Sequence, residues 1–215
     1  MIVKRMIFLL LILITVNISY GRDIYLGDIG IINDQYDYDS SKHNGCVFYD
    51  ALDTANGGDS IYLRENETIY YVPCYEYIEN LYMLDIVING ELILYNETGS
   101  WELNNDGRYY NAIDIRNSKN MVIRGTGKIN GYGYIWWKEF KNNDIVRFRP
   151  TLINLENTIN ITIHGIYLEN SPRFNIYIDN GLDIEIYNIT IWINFLENKK
   201  LVFPYNTDGI DFSGV

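Results

Sequence analysis

The chain has 215 residues, 47% hydrophobic and 15% aromatic, which supplies one sizeable core and excludes a disordered or collagen-like polymer. Its formal net charge is −11, or −13 once Lys4 and Arg5 are removed with the leader described next, so binding to nucleic acid or to anionic membranes is disfavoured. The 34 isoleucines and 26 asparagines, against 4 prolines, favour strands joined by asparagine turns over helices.

Residues 1–21 read as a secretory signal peptide. Lys4 and Arg5 precede the apolar run Met6 to Val16, and Ser19-Tyr20-Gly21 offers small residues for cleavage. The run is shorter than the roughly 18 to 20 residues a bilayer span requires, and no later stretch is apolar for long enough. Residues 22–215 are therefore expected to form a secreted, extracellular domain. An oxidising destination lets Cys46 and Cys74 pair, two unpaired buried thiols being the alternative. The sequons at Asn66, Asn96, Asn160 and Asn188 suit N-glycosylation there, although such triplets arise easily in an asparagine-rich chain.

From Asp39 to Tyr71 the pattern differs from the rest. Cys46 to Asn56 is compatible with a helix and is bounded by Gly57-Gly58. A short N-terminal helix would cover the open end of a strand stack.

Beyond it an eleven-residue pattern recurs. Residues 113–123 match 153–163, which match 176–186, and a fourth copy begins at Ile210-Asp211-Phe212. In each copy two short strands are expected to bury every second residue, with Asn at the fifth position and Asn or Asp at the eighth bracketing the corner. Gly125, Gly127, Gly131 and Gly165 supply further corners. Short strands returning every 20 to 25 residues, with no helix-length segment between them, predict an all-β parallel β-helix. The competing architecture is an antiparallel sandwich, for which Asn44-Gly45, Asn89-Gly90 and Asn130-Gly131 are candidate hairpin turns that do not fall regularly between strands.

The sharpest local signal is Asn206-Thr207-Asp208-Gly209-Ile210-Asp211, which sets Asp208 at a glycine-bearing corner before the fourth strand, aimed outward. A corner aspartate is most often a turn former. Trp136-Trp137 could stack on sugar rings, although aromatics in solenoids usually pack inside. His164 sits in a repeat strand and reads as structural, His43 has no partner suggested by the sequence, and Lys199-Lys200 reads as a solvated charge pair.

The order of these pieces resembles glycoside hydrolase family 28, the polygalacturonases. The hexapeptide at Asn206 is similar to the family's Asn-Thr-Asp motif, and Glu169-Asn170-Ser171-Pro172 to its Asn-Ser-Pro. Gly125 to Gly131 with Trp136-Trp137, then Arg149-Pro150, resemble its glycine-rich turn, its tryptophans and its Arg-Pro. Asp53 to Gly58 lies where the family begins its capping helix. The resemblance implies a right-handed parallel β-helix with a short N-terminal capping helix. It also implies inverting hydrolysis of α-1,4-linked galacturonate in pectin, with no cofactor and no metal, by a monomer. Such chemistry needs one protonated carboxyl for the leaving oxygen and a carboxylate that activates water, roughly 6.5 to 9.5 Å apart. The family's role for the Asp of Asn-Thr-Asp, activation of water, carries over to Asp208. Asn206 would orient it, and Asp211 would hydrogen-bond locally or line the outer face.

One departure matters. The family's adjacent Asp-Asp pair, its Gly-His-Gly and its Arg-Ile-Lys follow the Asn-Thr-Asp motif, and this sequence runs for seven residues after Asp208 without them. The expected general acid and the substrate-binding basic residues then have no candidate. The reading is of the N-terminal part of a polygalacturonase, incomplete at its C-terminal end and inactive as this chain. A non-catalytic polysaccharide-binding or surface β-helix, or a rhamnogalacturonan hydrolase, is the alternative.

Overall fold

The computed structural model describes residues 21–142, 148–197 and 200–214. All but the last residue of the expected signal peptide, and Lys199, lie outside them. Three sheets run the length of a stack and all pair in parallel. The first holds Asp23–Tyr25, Ser60–Leu63, Asp85–Ile88, Lys119–Arg124, Ile159–His164 and Leu182–Tyr187; the second holds Thr68–Tyr71, Glu91–Leu94, Lys128–Asn130, Tyr167–Glu169 and Thr190–Trp192. The third holds Ile78–Glu79, Ile113–Arg116, Ile153–Glu156, Ile176–Asp179 and Ile210–Ser213. From Ser60–Leu63 onward the chain visits the sheets in this order on every turn, the path of a right-handed parallel β-helix. The sandwich is excluded: Asn89-Gly90 joins strands of two different sheets, and Asn44-Gly45 lies inside a helix. Among the described residues, antiparallel pairing is confined to the loops: Leu196–Glu197 with Lys200–Leu201, and a bridge between Leu103 and Tyr109.

The repeat seen in the sequence is the register of the third sheet. Ile113, Ile153, Ile176 and Ile210 lie side by side. Isoleucine stacked on isoleucine fills the interior, where Ile113, Ile115, Ile153, Ile176 and Ile178 are buried. Both corner positions are left-handed in all three copies, with φ between 48° and 57° at Asn117, Asn120, Asn157, Asn160, Asn180 and Asp183. Asparagine is used there because its short polar side chain tolerates that conformation. The side chains also link coils: Asn180 donates to Asn157 at 2.6 Å and Asn160 donates to Asn120 at 2.8 Å. Gly125 (φ 146°) and Gly165 (φ 81°) turn the chain where a Cβ would strike the coil beneath, at 1.9 Å and 2.4 Å from a carbonyl oxygen.

Strict burial of every second residue does not hold throughout. Ile159 and Leu182, in register with Lys119, are exposed, because the left-handed residue that follows each rotates the strand's alternation at the corner. Ile210 and Phe212 continue inward-facing rows, yet no described strand covers them and both are exposed.

Helix α1, Tyr38–Thr54, closes the first end of the stack. Asp37 caps it by accepting from the Ser40 amide at 2.9 Å. Phe48, Tyr49, Ala51 and Leu52 point into the core, and Asn44 donates to the carbonyls of Ile32 and Tyr70, satisfying a strand edge. Gly45 lets the helix lie against Val72, whose carbonyl oxygen would sit 1.7 Å from a Cβ. The helix therefore starts eight residues before Cys46. Asp53 to Gly58 is its end and exit, not its beginning, because the Asp37 cap and not the apolar run fixes where it starts. A Cys46–Cys74 disulfide ties α1 to the loop after Thr68–Tyr71. Chain entropy over the 28-residue separation makes this worth about 3 to 4 kcal/mol.

A second helix, α2 (Gly133–Lys141), contradicts the expectation of no helix between strands. Its anchors are aromatic. Trp136 and Trp137 are fully buried; Trp136 meets the rings of Trp101 and Tyr109 edge-on, and Trp137 Nε1 donates to the Ser171 carbonyl at 3.1 Å. Neither tryptophan is available to stack on a sugar. No helix among the described residues is long and apolar enough to cross a membrane.

The four sequons fall at the surface in different states. Asn66 and Asn188 are exposed, Asn96 accepts a hydrogen bond from the Tyr36 hydroxyl, and the Asn160 carboxamide is committed to Asn120.

Candidate active site

Successive turns differ most where the chain passes from the second sheet to the third. Residues 95–112, 131–152 and 193–209 are long excursions there, while 170–175 is short. Loops on a rigid stack are where side chains can be exposed in fixed positions. Residues of the first two excursions, with Arg173 of the short connection and the outer face of the third sheet, wall a cavity of about 210 Å³; Asn206, Asp208 and Asp211 are not among its lining residues.

The sheet register places the candidate residues. Counting back from the paired isoleucines, Asn111, Thr151, Phe174 and Asp208 occupy one row, two residues before each strand. One residue into the strands, Asp114, Asn154, Tyr177 and Asp211 form a second row on the outer face. Asp208 is exposed. Its backbone carbonyl is held by the Asn175 amide at 3.0 Å and by Asn175 Nδ2 at 3.1 Å, so the corner is pinned while the carboxylate stays outside. Asn206 has φ 53° and accepts from Arg149 Nη2 at 3.0 Å. Its side chain is engaged with that arginine, and not with Asp208. Asp211 lies half-buried on the outer face, where it and Asp208 both act on the Arg173 guanidinium.

The Asn-Ser-Pro segment acts as a joint. Asn170 is left-handed (φ 48°), its carbonyl receives the Gly133 amide at 2.8 Å, and its Oδ1 receives the Asn194 amide at 2.7 Å. Ser171 Oγ donates to the Phe174 carbonyl at 2.5 Å. This segment therefore fixes α2, the excursion after Trp192 and the row containing Asp208 relative to one another.

The two ends of the cavity differ in charge. At one end Arg116 reaches Asp114 at 3.0 Å, Glu156 at 3.3 Å and Glu76 at 3.7 Å. Asp114 also accepts from Asn111 and Asn154, so its oxygens are committed. At the other end stand Arg108, Arg149 and Arg173. Arg108 and Arg173 lie 4.2 Å and 5.1 Å from the Phe148 ring, and Arg173 lies 4.2 Å from that of Phe174. Burial, with Arg173 adding to it, brings Arg149 down to about 10, and burial also lowers Arg173. No contiguous motif in the sequence joins Arg108, Arg149 and Arg173. These three are scattered over 65 positions, with only the flanking prolines at Arg149-Pro150 and Pro172-Arg173 as a signal. His43 is bonded to the Gly30 carbonyl and His164 is stacked on Tyr187, both away from this cavity.

Comparison with known proteins gives concordant results. The model of Glycosyl hydrolases family 28 matches residues 84–215. Exopolygalacturonase B of Aspergillus niger is 28% identical over 172 residues, covering 74% of this chain and 37% of that protein. The chain thus spans little more than a third of the length of such curated relatives. Among solved structures, endo-xylogalacturonan hydrolase from Aspergillus tubingensis superimposes with a TM-score of 0.71 at 21% identity, covering 88% of this chain and 47% of that one. Polygalacturonase from Erwinia carotovora gives 0.63 at 18% identity, covering 90% and 52%.

Proposed function

Because the chain belongs to glycosyl hydrolases family 28, whose model spans more than half of it, we propose that it acts in inverting hydrolysis of α-1,4-galacturonosyl linkages in pectin. Asp208 is the carboxylate that activates water. The observation that carries this reading is that Asp208 is exposed on a corner clamped by Asn175, in the same row as Asn111 and Thr151, which line the cavity. Asn206 supports the corner through Arg149, and Asp211 lines the outer face beside it. Water activation needs a base within hydrogen-bond reach of the water, and an exposed carboxylate on a hydrogen-bonded corner offers one. The Cys46–Cys74 bridge supports an oxidising, extracellular destination.

The proton donor of the reaction is a second carboxyl. The 215 residues contain no adjacent Asp-Asp pair to match the family's. We expect this chain to bind oligogalacturonate, and any reducing ends it releases to be lost in Asp208→Asn. The test is titration with oligogalacturonate beside a reducing-end assay on polygalacturonic acid, for the native chain and for Asp208→Asn. Reducing ends released above the blank and equally by both forms would unseat Asp208. A chain that binds neutral galactan and ignores the acid would remove the substrate assignment.

A second reading, a polysaccharide-binding β-helix without catalysis, is favoured by the arginine-lined end of the cavity, which needs no proton donor to hold an acidic sugar. Turnover abolished by Asp208→Asn decides against it.

A further inference from the structure

Three of the four tryptophans, Trp101, Trp136 and Trp137, are buried, whereas Trp192 is 56% exposed. It stands on the outer face of the second sheet, in register with Glu169, while its neighbour Ile191 packs against the core. On the adjacent strand Tyr167 is in register with Lys128 on one side and Thr190 on the other. Lys128 lies between two carboxylates, Glu91 at 3.3 Å and Glu169 at 3.4 Å. Burial works against its charge, but the two glutamates outweigh burial and raise its pKa. Tyr167, Lys128, Glu91 and Glu169, with Glu65, line an open groove of about 590 Å³, within the roughly 300 to 1,000 Å³ of ligand sites. Tyr132 interacts through space with Lys128, Glu169 and Glu91, which places its ring at the rim. None of these residues lines the cavity over the third sheet. Partly exposed ion pairs contribute little to stability, and an exposed tryptophan forgoes the burial that the other three obtain, so the demands of the fold do not account for this face.

We propose that this groove, with Tyr167 and Trp192 as platforms, binds a neutral glycan of equatorially hydroxylated pyranoses, as in a β-1,4-glucan or a β-1,4-xylan, at a site separate from the cavity over the third sheet. Such a sugar turns C–H bonds to both faces of its ring and hydroxyls to its edge. The C–H face meets the negative face of an aromatic ring. The edge hydroxyls donate to Glu91 and Glu169, whose carboxylates have acceptor sites beyond those used by Lys128, and accept from the Lys128 ammonium. Tyr167 and Trp192 belong to neighbouring strands, which lie about 4.8 Å apart, close to the length of one sugar, so consecutive residues of a glycan laid along the stack meet consecutive rings. Charge decides against an acidic sugar here: three carboxylates against one ammonium repel a uronate. The site does not depend on the catalytic role of Asp208.

The experiment is calorimetric titration of the chain with cellohexaose and with xylohexaose, each alone and with trigalacturonate present in excess. At least one of the neutral hexamers is expected to bind, with an affinity that trigalacturonate changes by less than about twofold. Tyr167→Ala and Trp192→Ala should each weaken that binding roughly tenfold, and if one of them fails to fold the other carries the test. Tyr187→Ala, which removes an exposed ring from the outer face of the first sheet, should leave it unchanged. Glu91→Gln combined with Glu169→Gln should weaken it several-fold by replacing charged acceptors with neutral ones. No binding of either hexamer overturns the proposal, as does binding that survives both ring variants. Displacement of the hexamer by trigalacturonate also overturns it, because the two ligands would then share the cavity over the third sheet. Ring-dependent binding of a hexamer, in a chain that does not take up trigalacturonate, keeps this site and discards the reading of the previous subsection.

Discussion

Asn175 is the residue on which the position of Asp208 depends, and its removal gives an unusual pair of effects. The side chain is fully buried; its Nδ2 donates to the Thr207 carbonyl at 3.3 Å and to the Asp208 carbonyl at 3.1 Å, while its Oδ1 has no partner. Asn175→Ala loses two hydrogen bonds, about 0.5 to 1.5 kcal/mol each, and also deletes a buried unsatisfied acceptor that costs about 1 to 3 kcal/mol. These effects oppose each other, so global stability should change by no more than about 1 kcal/mol. The corner itself gains nothing from losing the acceptor, since Oδ1 does not touch it. Opening of residues 206–209 should become easier by about 2 kcal/mol, roughly a 30-fold loss of amide protection. The amides to watch are those of residues 175 and 176, which donate to the carbonyls of Asp208 and Gly209. Urea denaturation gives the global term and native-state hydrogen exchange gives the local one. Unchanged protection at both amides, or a global loss above about 3 kcal/mol with no local excess, would refute the argument that Asn175 clamps the corner that carries Asp208.

Other expectations follow from the stack. Asn157→Ala places a Cβ-bearing aliphatic residue at φ 53° and removes the acceptor used by Asn180; the cost by urea denaturation should be about 2 kcal/mol, and Asn157→Gly should cost less because it carries no left-handed strain. Equal losses would contradict the left-handed corner. Replacing Cys46 and Cys74 together by serine should lower stability by about 3 to 4 kcal/mol, with α1 the first element to exchange its amides; a change under about 1 kcal/mol would mean that the helix is held by packing alone. Asp59 accepts from the Arg22 guanidinium at 2.6 Å, which with backbone donors holds its carboxyl down to about 2. Its unfolded value is near 3.9, so the native state binds fewer protons between these values. The stabilisation is complete above about pH 4 and is lost as pH falls towards 2. Because Arg22 is largely exposed, this amounts to on the order of 1 kcal/mol. Asp59→Asn should therefore flatten the acid limb of the stability profile, and an unchanged limb would dismiss the pair.

The sequence by itself determined the strands, the corners and the register. An interior that is filled one side chain per rung repeats its demand at every turn, so isoleucine recurs at 113, 153, 176 and 210, and asparagine recurs where the backbone must be left-handed. The disulfide was likewise legible, from two cysteines in a chain whose first residues read as a secretory leader. Only the tertiary structure decided where α1 starts, that α2 exists, and that Trp136 and Trp137 are core. Each depends on a contact across coils, such as Trp137 with Ser171, and not on local periodicity. The same holds for the site. Asp208 announces itself through a motif, but Arg108, Arg149 and Arg173 belong to three different excursions between the second and third sheets. Parallel stacking at a fixed spacing superimposes those excursions whatever their lengths, and so gathers into one cavity residues that no linear pattern joins.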